Sequence, residues 1–410
     1  MDLEPRIESF RQKALGLFVH YGAYIQYESG EWALNLCNID PKQYERNALS
    51  LDYSSFDPQN IIKAAKVCGA KYITFTTRHH DGFSLYDTRG LSDYDIMHTP
   101  NGRDLVKEFC DACHENGIMP FLYHTTLDWH HPDFKADFIR YQQYLRDSIE
   151  ILCRNYGEIG GFWLDGNWSM PADAWDLDGL YGIIRKYQPN AIIINNTGLD
   201  EPGVLGHREI DCVTFEQGIP TKPDCKAGEK AYMGEMCYPL CEHWGIAEDI
   251  NLKSMRQILE AFTSCRKVGG NLLLGIFTNL DGSQPLLHYG FLEALGRWVH
   301  QNERAVYLPA PGETQGNGKD FWLECGSKAY AFVHNVGTWG DSNVMKVSSQ
   351  NAVCFTGLSS RILEGHWLNN GEPVRYDQDL DRRTLTLDPG HFRYGESWIV
   401  RVAEFTLADS

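Results

Sequence analysis

The chain has 410 residues, of which 43% are hydrophobic and 12% aromatic, and its 37 basic against 55 acidic side chains give a formal charge of −18. This composition excludes disordered and collagen-like chains, and with no cluster of lysine and arginine it argues against nucleic acid as a ligand. No apolar run approaches the roughly 18 residues of a membrane span, so a membrane is not an expected partner either.

The N-terminal stretch MDLEPRIESFRQKALGLF carries acids and lacks the apolar core and small-residue site of a secretory signal, so a cytoplasmic location is expected. Eight short β-branched or aromatic runs then recur: Leu15 to His20, Lys71 to Thr77, Ile118 to His124, Gly160 to Leu164, Ala191 to Asn196, Cys212 to Phe215, Ala231 to Glu235 and Leu272 to Ile276. Helical periodicity falls between most of them, at Asp57 to Cys68, Asp104 to Asn116, Asp137 to Tyr156, Ala172 to Tyr187, Asn251 to Val268 and Pro285 to His300. The intervals after runs five and six are too short or too rich in Gly and Pro for full helices. The alternation predicts an α/β fold, a (β/α)8-like barrel with an incomplete set of outer helices.

After about Val306 alternating segments such as Lys328 to His334, Ser359 to Leu363 and Ser397 to Ala403 are separated by Gly, Asn and Asp turns, which predicts a C-terminal antiparallel β-domain. The expected domains are therefore residues 1–306 and 317–410, with Leu308 to Asn317 as the linker. Twelve cysteines over this length, with no export signal, read as reduced and mostly buried. Cys110, Cys113 and His114 spell C-x-x-C-H, but on a helical segment without a second cysteine pair they are expected to be core-facing rather than haem or zinc ligands.

Active sites of such barrels lie at the carboxyl ends of the strands. Run one ends in His20-Tyr21-Gly22, run two in Arg78-His79-His80-Asp81-Gly82-Phe83, and run three in Tyr123-His124 with Asp128-Trp129-His130-His131 beyond. Run four ends in Trp163-Leu164-Asp165-Gly166-Asn167-Trp168, run six in Thr214-Phe215-Glu216 and run seven in Gly234-Glu235. Two chemistries fit this set. In glycoside hydrolysis two carboxylates flank the scissile bond while histidines bind hydroxyls and rings cover C–H faces. A metal-dependent hydrolase would instead use His20, His79, His80, His124 and Asp165 around an activated water. Adjacent His79 and His80 would point to opposite faces of a strand, which weakens the metal reading. The strand-end tryptophans Trp32, Trp129, Trp163, Trp168 and Trp244 favour a sugar.

The blocks GLFVHYG, GEW, FDP, GAKYITFTTRHHDGFSLYDT, GRDLVKEF, LDWHHPDF, WLDGNW and VGGNLLLGIFTNLDGSQP, in this order over roughly residues 10 to 300, resemble those of the retaining α-L-fucosidases, glycoside hydrolase family 29. The resemblance implies a barrel with a C-terminal β-sandwich, double displacement through a glycosyl-aspartate ester, no metal and no cofactor, and a fucosylated oligosaccharide or glycoconjugate as substrate. Carried over by motif, Asp165 matches the nucleophile, with Gly166 expected to let substrate approach. His20, Glu31, Trp32, His79, His80, Tyr123 and Trp163 match positions around the sugar, His124 at the end of run three is expected to bind substrate beside them, and Trp32 and Trp244 would shape the side that takes its methyl group. For the acid/base, Glu216 in CVTFEQG is preferred over its competitor Glu235 in YMGEMC. Many members follow run five with Asn-Asp-Arg-Trp-Gly, whereas Asn195-Asn196-Thr197-Gly198 stands here; a Thr cannot supply a guanidinium fork, so a different linkage or a related sugar such as L-galactose is an alternative. In the C-terminal domain Trp367, His391 and Glu396 are candidates for a carbohydrate-binding face, beside the plainer reading of a packing domain. The sequence carries no signature of oligomeric state.

Overall fold

The computed structural model describes residues 3–225, 229–248, 251–341, 344–347, 352–389 and 397–408. Eight parallel strands close into a barrel in chain order: β1 (Leu15–Val19), β2 (Tyr72–Arg78), β3 (Met119–Thr125), β4 (Gly161–Asp165), β5 (Ile192–Asn196), β6 (Cys212–Thr214), β7 (Met233–Pro239) and β8 (Asn271–Ile276), with β1 pairing β8 from Leu15 opposite Leu272 to Val19 opposite Ile276. Strand seven runs later than its sequence signal, through Cys237 to Pro239.

Four of the helices between the barrel strands have a local cause. Asp57, Asp104, Asp137 and Asp176 cap the helices Pro58–Cys68, Leu105–Glu115, Phe138–Asn155 and Leu177–Tyr187 by accepting from backbone N–H groups of the first turn. Between β5 and β6, and between β6 and β7, the described residues contain no helix. The lumen is packed by alternate strand residues, among them Phe18, Tyr72, Phe121, Tyr123, Trp163, Ile194 and Leu273, joined by Ile7 and Phe10 of the helix Pro5–Arg11. Gly16 belongs to this packing: a Cβ there would lie 2.3 Å from the ring of Tyr72.

The chain divides into two compact units, residues 1–253 with 271–294, and residues 254–270 with 295–410. Compactness thus groups the helix Met255–Lys267 with the second unit, whereas the compositional change falls near residue 306. The second unit carries a nine-stranded antiparallel sheet formed by β9 (Ala310–Gly316), β10 (Phe321–Cys325), β11 (Lys328–Asp341), β12 (Val344–Val347), β13 (Val353–Thr356), β14 (Ile362–Trp367), β15 (Arg375–Asp379), β16 (Thr384–Asp388) and β17 (Ser397–Leu407). Their order is β14-β17-β11-β10-β9-β13-β16-β15, with β12 on β11. Trp322, Phe355, Trp367, Leu385 and Phe405, from both halves of that order, share one sandwich-like core. Trp367 is therefore a core residue with Arg401 over its ring at 4.0 Å, not an exposed sugar platform. Its proposed companions His391 and Glu396 lie outside the described residues.

Cys110 and Cys113 are buried on their helix, and the His114 ring meets the carbonyl of Glu158 at 2.9 Å. Among the described residues no helix is long and apolar enough to cross a membrane, and no group of three or more His, Cys, Asp or Glu is placed to hold a metal ion.

Candidate active site

The carboxyl ends of the strands open into a cavity of about 880 Å³. It is lined by ten of the residues singled out from sequence: Asp165, Glu216, His20, Glu31, Trp32, His79, His80, Tyr123, Trp163 and Trp244.

Asp165 closes β4 and is 9% exposed. The Tyr123 hydroxyl donates to its Oδ2 at 2.9 Å, while Trp168 Nε1 and Asn196 Nδ2 each donate to Oδ1 at 3.2 Å. His80 Nε2 lies 3.4 Å from Oδ2, and its other ring nitrogen meets Thr125 Oγ1 at 2.7 Å. Immediately after Asp165 the chain turns at Gly166 with φ 110°, and a Cβ there would fall 2.6 Å from the backbone nitrogen of Leu127. The expectation that Gly166 makes room for substrate is corrected: its missing side chain lets the β4 loop pack on the β3 loop, which aims the carboxylate.

Glu216 follows β6 and is half-buried. Asn196 Nδ2 donates to its Oε2 at 2.9 Å, the same nitrogen that reaches Asp165. Bonds of 2.9 and 3.2 Å to one nitrogen keep the two carboxylate oxygens within about 6 Å of each other. The amide orientation is fixed from behind, since Asn196 Oδ1 accepts from Thr214 Oγ1 at 2.9 Å and from the Gly198 N–H at 3.3 Å. Burial pushes the Glu216 carboxyl above the usual range and the negative Asp165 adds to this, against the opposing hydrogen bond from Asn196. Asn196, at the end of run five and not expected from sequence as a site residue, is the residue that ties the pair together. The available signal was a polar side chain closing run five, as others close runs four and six.

Glu235 is in a different place. It faces the barrel lumen on β7, fully buried, and accepts from Trp163 Nε1 at 3.0 Å and from the Tyr72 hydroxyl. Burial raises its carboxyl to about 7, yet it does not line the cavity. Glu235 thus lies beneath Trp163, apart from the cavity that holds Glu216.

His124 is also displaced from its expected role. On β3 the alternation that sends Tyr123 into the cavity sends His124 outward, where Nδ1 meets Thr77 Oγ1 at 2.8 Å. His79 and His80, expected to diverge, both line the cavity because they lie beyond the last residue of β2, after a register shift between Thr76 and Arg78. His20 and His79 are each 4% exposed, and Nδ1 of each has no protein partner. Burial holds His20 neutral, its pKa lowered to about 3, and keeps His79 well below the ordinary histidine range. Neutral imidazoles with an unused nitrogen suit hydroxyl groups, which both give and accept hydrogen bonds.

The rings form the walls. Trp244 stacks on His20 at 5.4 Å, His79 lies parallel to Tyr123 at 5.4 Å, and Trp32 packs edge-on against His80 at 5.5 Å. Trp129 does not line the cavity but sits edge-on against Trp32 at 4.9 Å. Glu31 lines the cavity, but its Oε2 accepts from the backbone N–H groups of Trp244 at 3.2 Å and Gly245 at 2.8 Å, so it also fixes the loop that presents Trp244.

Two carboxylates held on one amide, beneath neutral imidazoles and between ring faces, meet the needs of glycosidic bond cleavage and define a glycoside hydrolase. Residues 1–304 match the sequence profile described as alpha-L-fucosidase. The tissue alpha-L-fucosidase of Rattus norvegicus is 23% identical over 443 residues, covering 98% of this chain and 91% of its own. The solved structure of alpha-L-fucosidase isoenzyme 1 from Paenibacillus thiaminolyticus superposes with a TM-score of 0.81 at 29% identity, covering 99% of each chain. An alpha-L-fucosidase from Bacteroides thetaiotaomicron, trapped as a covalent intermediate with 2-fluoro-fucosyl fluoride, superposes with a TM-score of 0.82 at 20% identity over 100% of this chain and 97% of that one, a likeness of fold. The chain belongs to the α-L-fucosidase family, glycoside hydrolase family 29.

Proposed function

We propose that this enzyme releases terminal α-L-fucosyl residues from oligosaccharides or glycoconjugates with retention of configuration, Asp165 acting as nucleophile and Glu216 as acid/base. The observation that carries this reading is the shared amide of Asn196, which holds the two carboxylates within about 6 Å. Retaining pairs stand about 5–5.5 Å apart and inverting pairs about 6.5–9.5 Å, because the latter leave room for a water. In the first step an Asp165 oxygen bonds to the anomeric carbon as the glycosidic C–O bond breaks, and Glu216 gives its proton to the departing oxygen. In the second, Glu216 takes a proton from water, whose oxygen displaces Asp165 and regenerates both carboxyl groups. The covalent intermediate in the Bacteroides thetaiotaomicron fucosidase supports this sequence of steps by analogy. Phe18 and Trp244, 5.4 Å apart in the cavity wall, support an apolar seat for the sugar's methyl group.

The test is proton NMR of 4-nitrophenyl α-L-fucoside hydrolysis. The α anomer of fucose is expected first, with turnover lost in Asp165→Asn. The β anomer appearing first would overturn retention, faster cleavage of the matching α-L-galactoside would overturn the choice of sugar, and loss with EDTA that zinc restores would favour a metal-dependent hydrolase.

A further inference from the structure

The cavity is larger than one monosaccharide, and its charge is one-sided. His20 and His79, nine-tenths buried with a ring nitrogen unpartnered, place the sugar at the inner end with Asp165 and Glu216. Whatever the sugar is attached to must therefore lie outward of those carboxylates. That outer wall carries exposed apolar side chains, Trp168 at 45%, Leu199 at 64% and Val204 at 43% exposure. Between and beside them stand three exposed carboxylates, Asp200, Glu201 and Glu242. With Glu31, Asp165 and Glu216 the described lining holds six acids and neither lysine nor arginine. Thr197, in the same wall, donates to the Glu201 carbonyl and adds no charge. A concave site lined by one sign of charge concentrates that sign's field and shifts the entry of charged ligands by about 10- to 1000-fold.

We propose that the mouth of this cavity is a charge filter. Asp200, Glu201 and Glu242 turn away fucosides whose neighbouring group is anionic, such as a sulfated or carboxylated sugar, and the apolar wall accepts neutral ones. This inference rests on the fucosidase reading and adds the class of aglycone.

The test compares kcat/KM for neutral 4-nitrophenyl α-L-fucoside and its ring-carboxylated analogue 3-carboxy-4-nitrophenyl α-L-fucoside, in the wild-type enzyme and in the triple variant Asp200→Asn, Glu201→Gln, Glu242→Gln. Comparing the anionic-to-neutral ratio between enzymes cancels the intrinsic difference between the two leaving groups. At low salt the triple variant is expected to raise that ratio about tenfold, with the neutral substrate changed less than about twofold. In the wild type alone, raising salt from about 0.01 M to 1 M shortens the screening length from about 30 Å to 3 Å and should lift the ratio several-fold, a check that needs no variant. A ratio unmoved by both salt and substitution, with the neutral fucoside still hydrolysed, overturns the filter alone. Failure to cleave the neutral fucoside at all overturns the fucosidase reading, and the filter with it.

Discussion

The mouth and the lumen of the barrel each hold a glutamate with a raised proton affinity, and only the one at the mouth lines the cavity. Glu235 in the lumen is perturbed to about 7 by burial beneath Trp163 and beside Tyr72. Glu216 at the mouth is raised by burial and by Asp165 while it remains open to the cavity and tied to the same amide as Asp165. A shifted carboxyl marks a low-polarity environment; reach to a substrate separates the catalytic case from the supporting one.

Three substitutions bear on this contrast. Glu216→Ala is expected to lose about 10²- to 10⁴-fold in kcat/KM on a fucoside with a poor leaving group. Azide should restore activity on an activated aryl fucoside and yield fucosyl azide. Full activity in Glu216→Ala beside its loss in Glu235→Gln would reverse the assignment. Asn196→Ala is next, with about a 10- to 100-fold drop in kcat as the two carboxylates lose their common donor. The Asn196 bond lowers the Glu216 proton affinity, so its removal should also move the alkaline limb of the pH profile upward; an unmoved limb would show that the amide only packs. The smallest effect on rate belongs to Glu235→Gln, within about threefold of wild type, because the amide oxygen can still accept from Trp163 Nε1 while Tyr72 turns to accept from the amide nitrogen. Its signature is in stability. Folded Glu235 keeps its proton up to about pH 7, whereas the unfolded chain loses it near 4.5, so its contribution is full below 4.5 and declines as pH rises toward 7. Urea melts across that window should show a shallower decline in Glu235→Gln, and identical slopes would sink the idea.

Much of this was legible from the chain because the relevant physics is local. Asp57, Asp104 and Asp137 announce helix starts by capping, and buried parallel strands read as short apolar runs, so the barrel and its gaps after β5 and β6 emerge from sequence. What was not legible depends on which way a side chain turns at the end of a strand. Strict alternation misplaces His79 and His80, because the register shift near Arg78 lies between them and the regular strand, whereas the same alternation holds for His124 and removes it from the site. The role of Asn196 is a relation between strands four, five and six, created only when the barrel closes. Glu216 and Glu235 differ by cavity against lumen, a distinction that no spacing encodes.

Among the described residues the connections after β5 and β6 hold no helix, whereas β4 has one before it and one after it. Asp165, the proposed nucleophile, sits on a strand between two capped helices. Glu216, the proposed acid/base, and the rim residues Asp200 and Glu201 instead hang from connections without a described helix, where length changes cost folding little, while Glu242 follows β7. Of the two carboxylates bound to Asn196, Asp165 therefore stands on the helically braced strand and Glu216 on the unbraced connection.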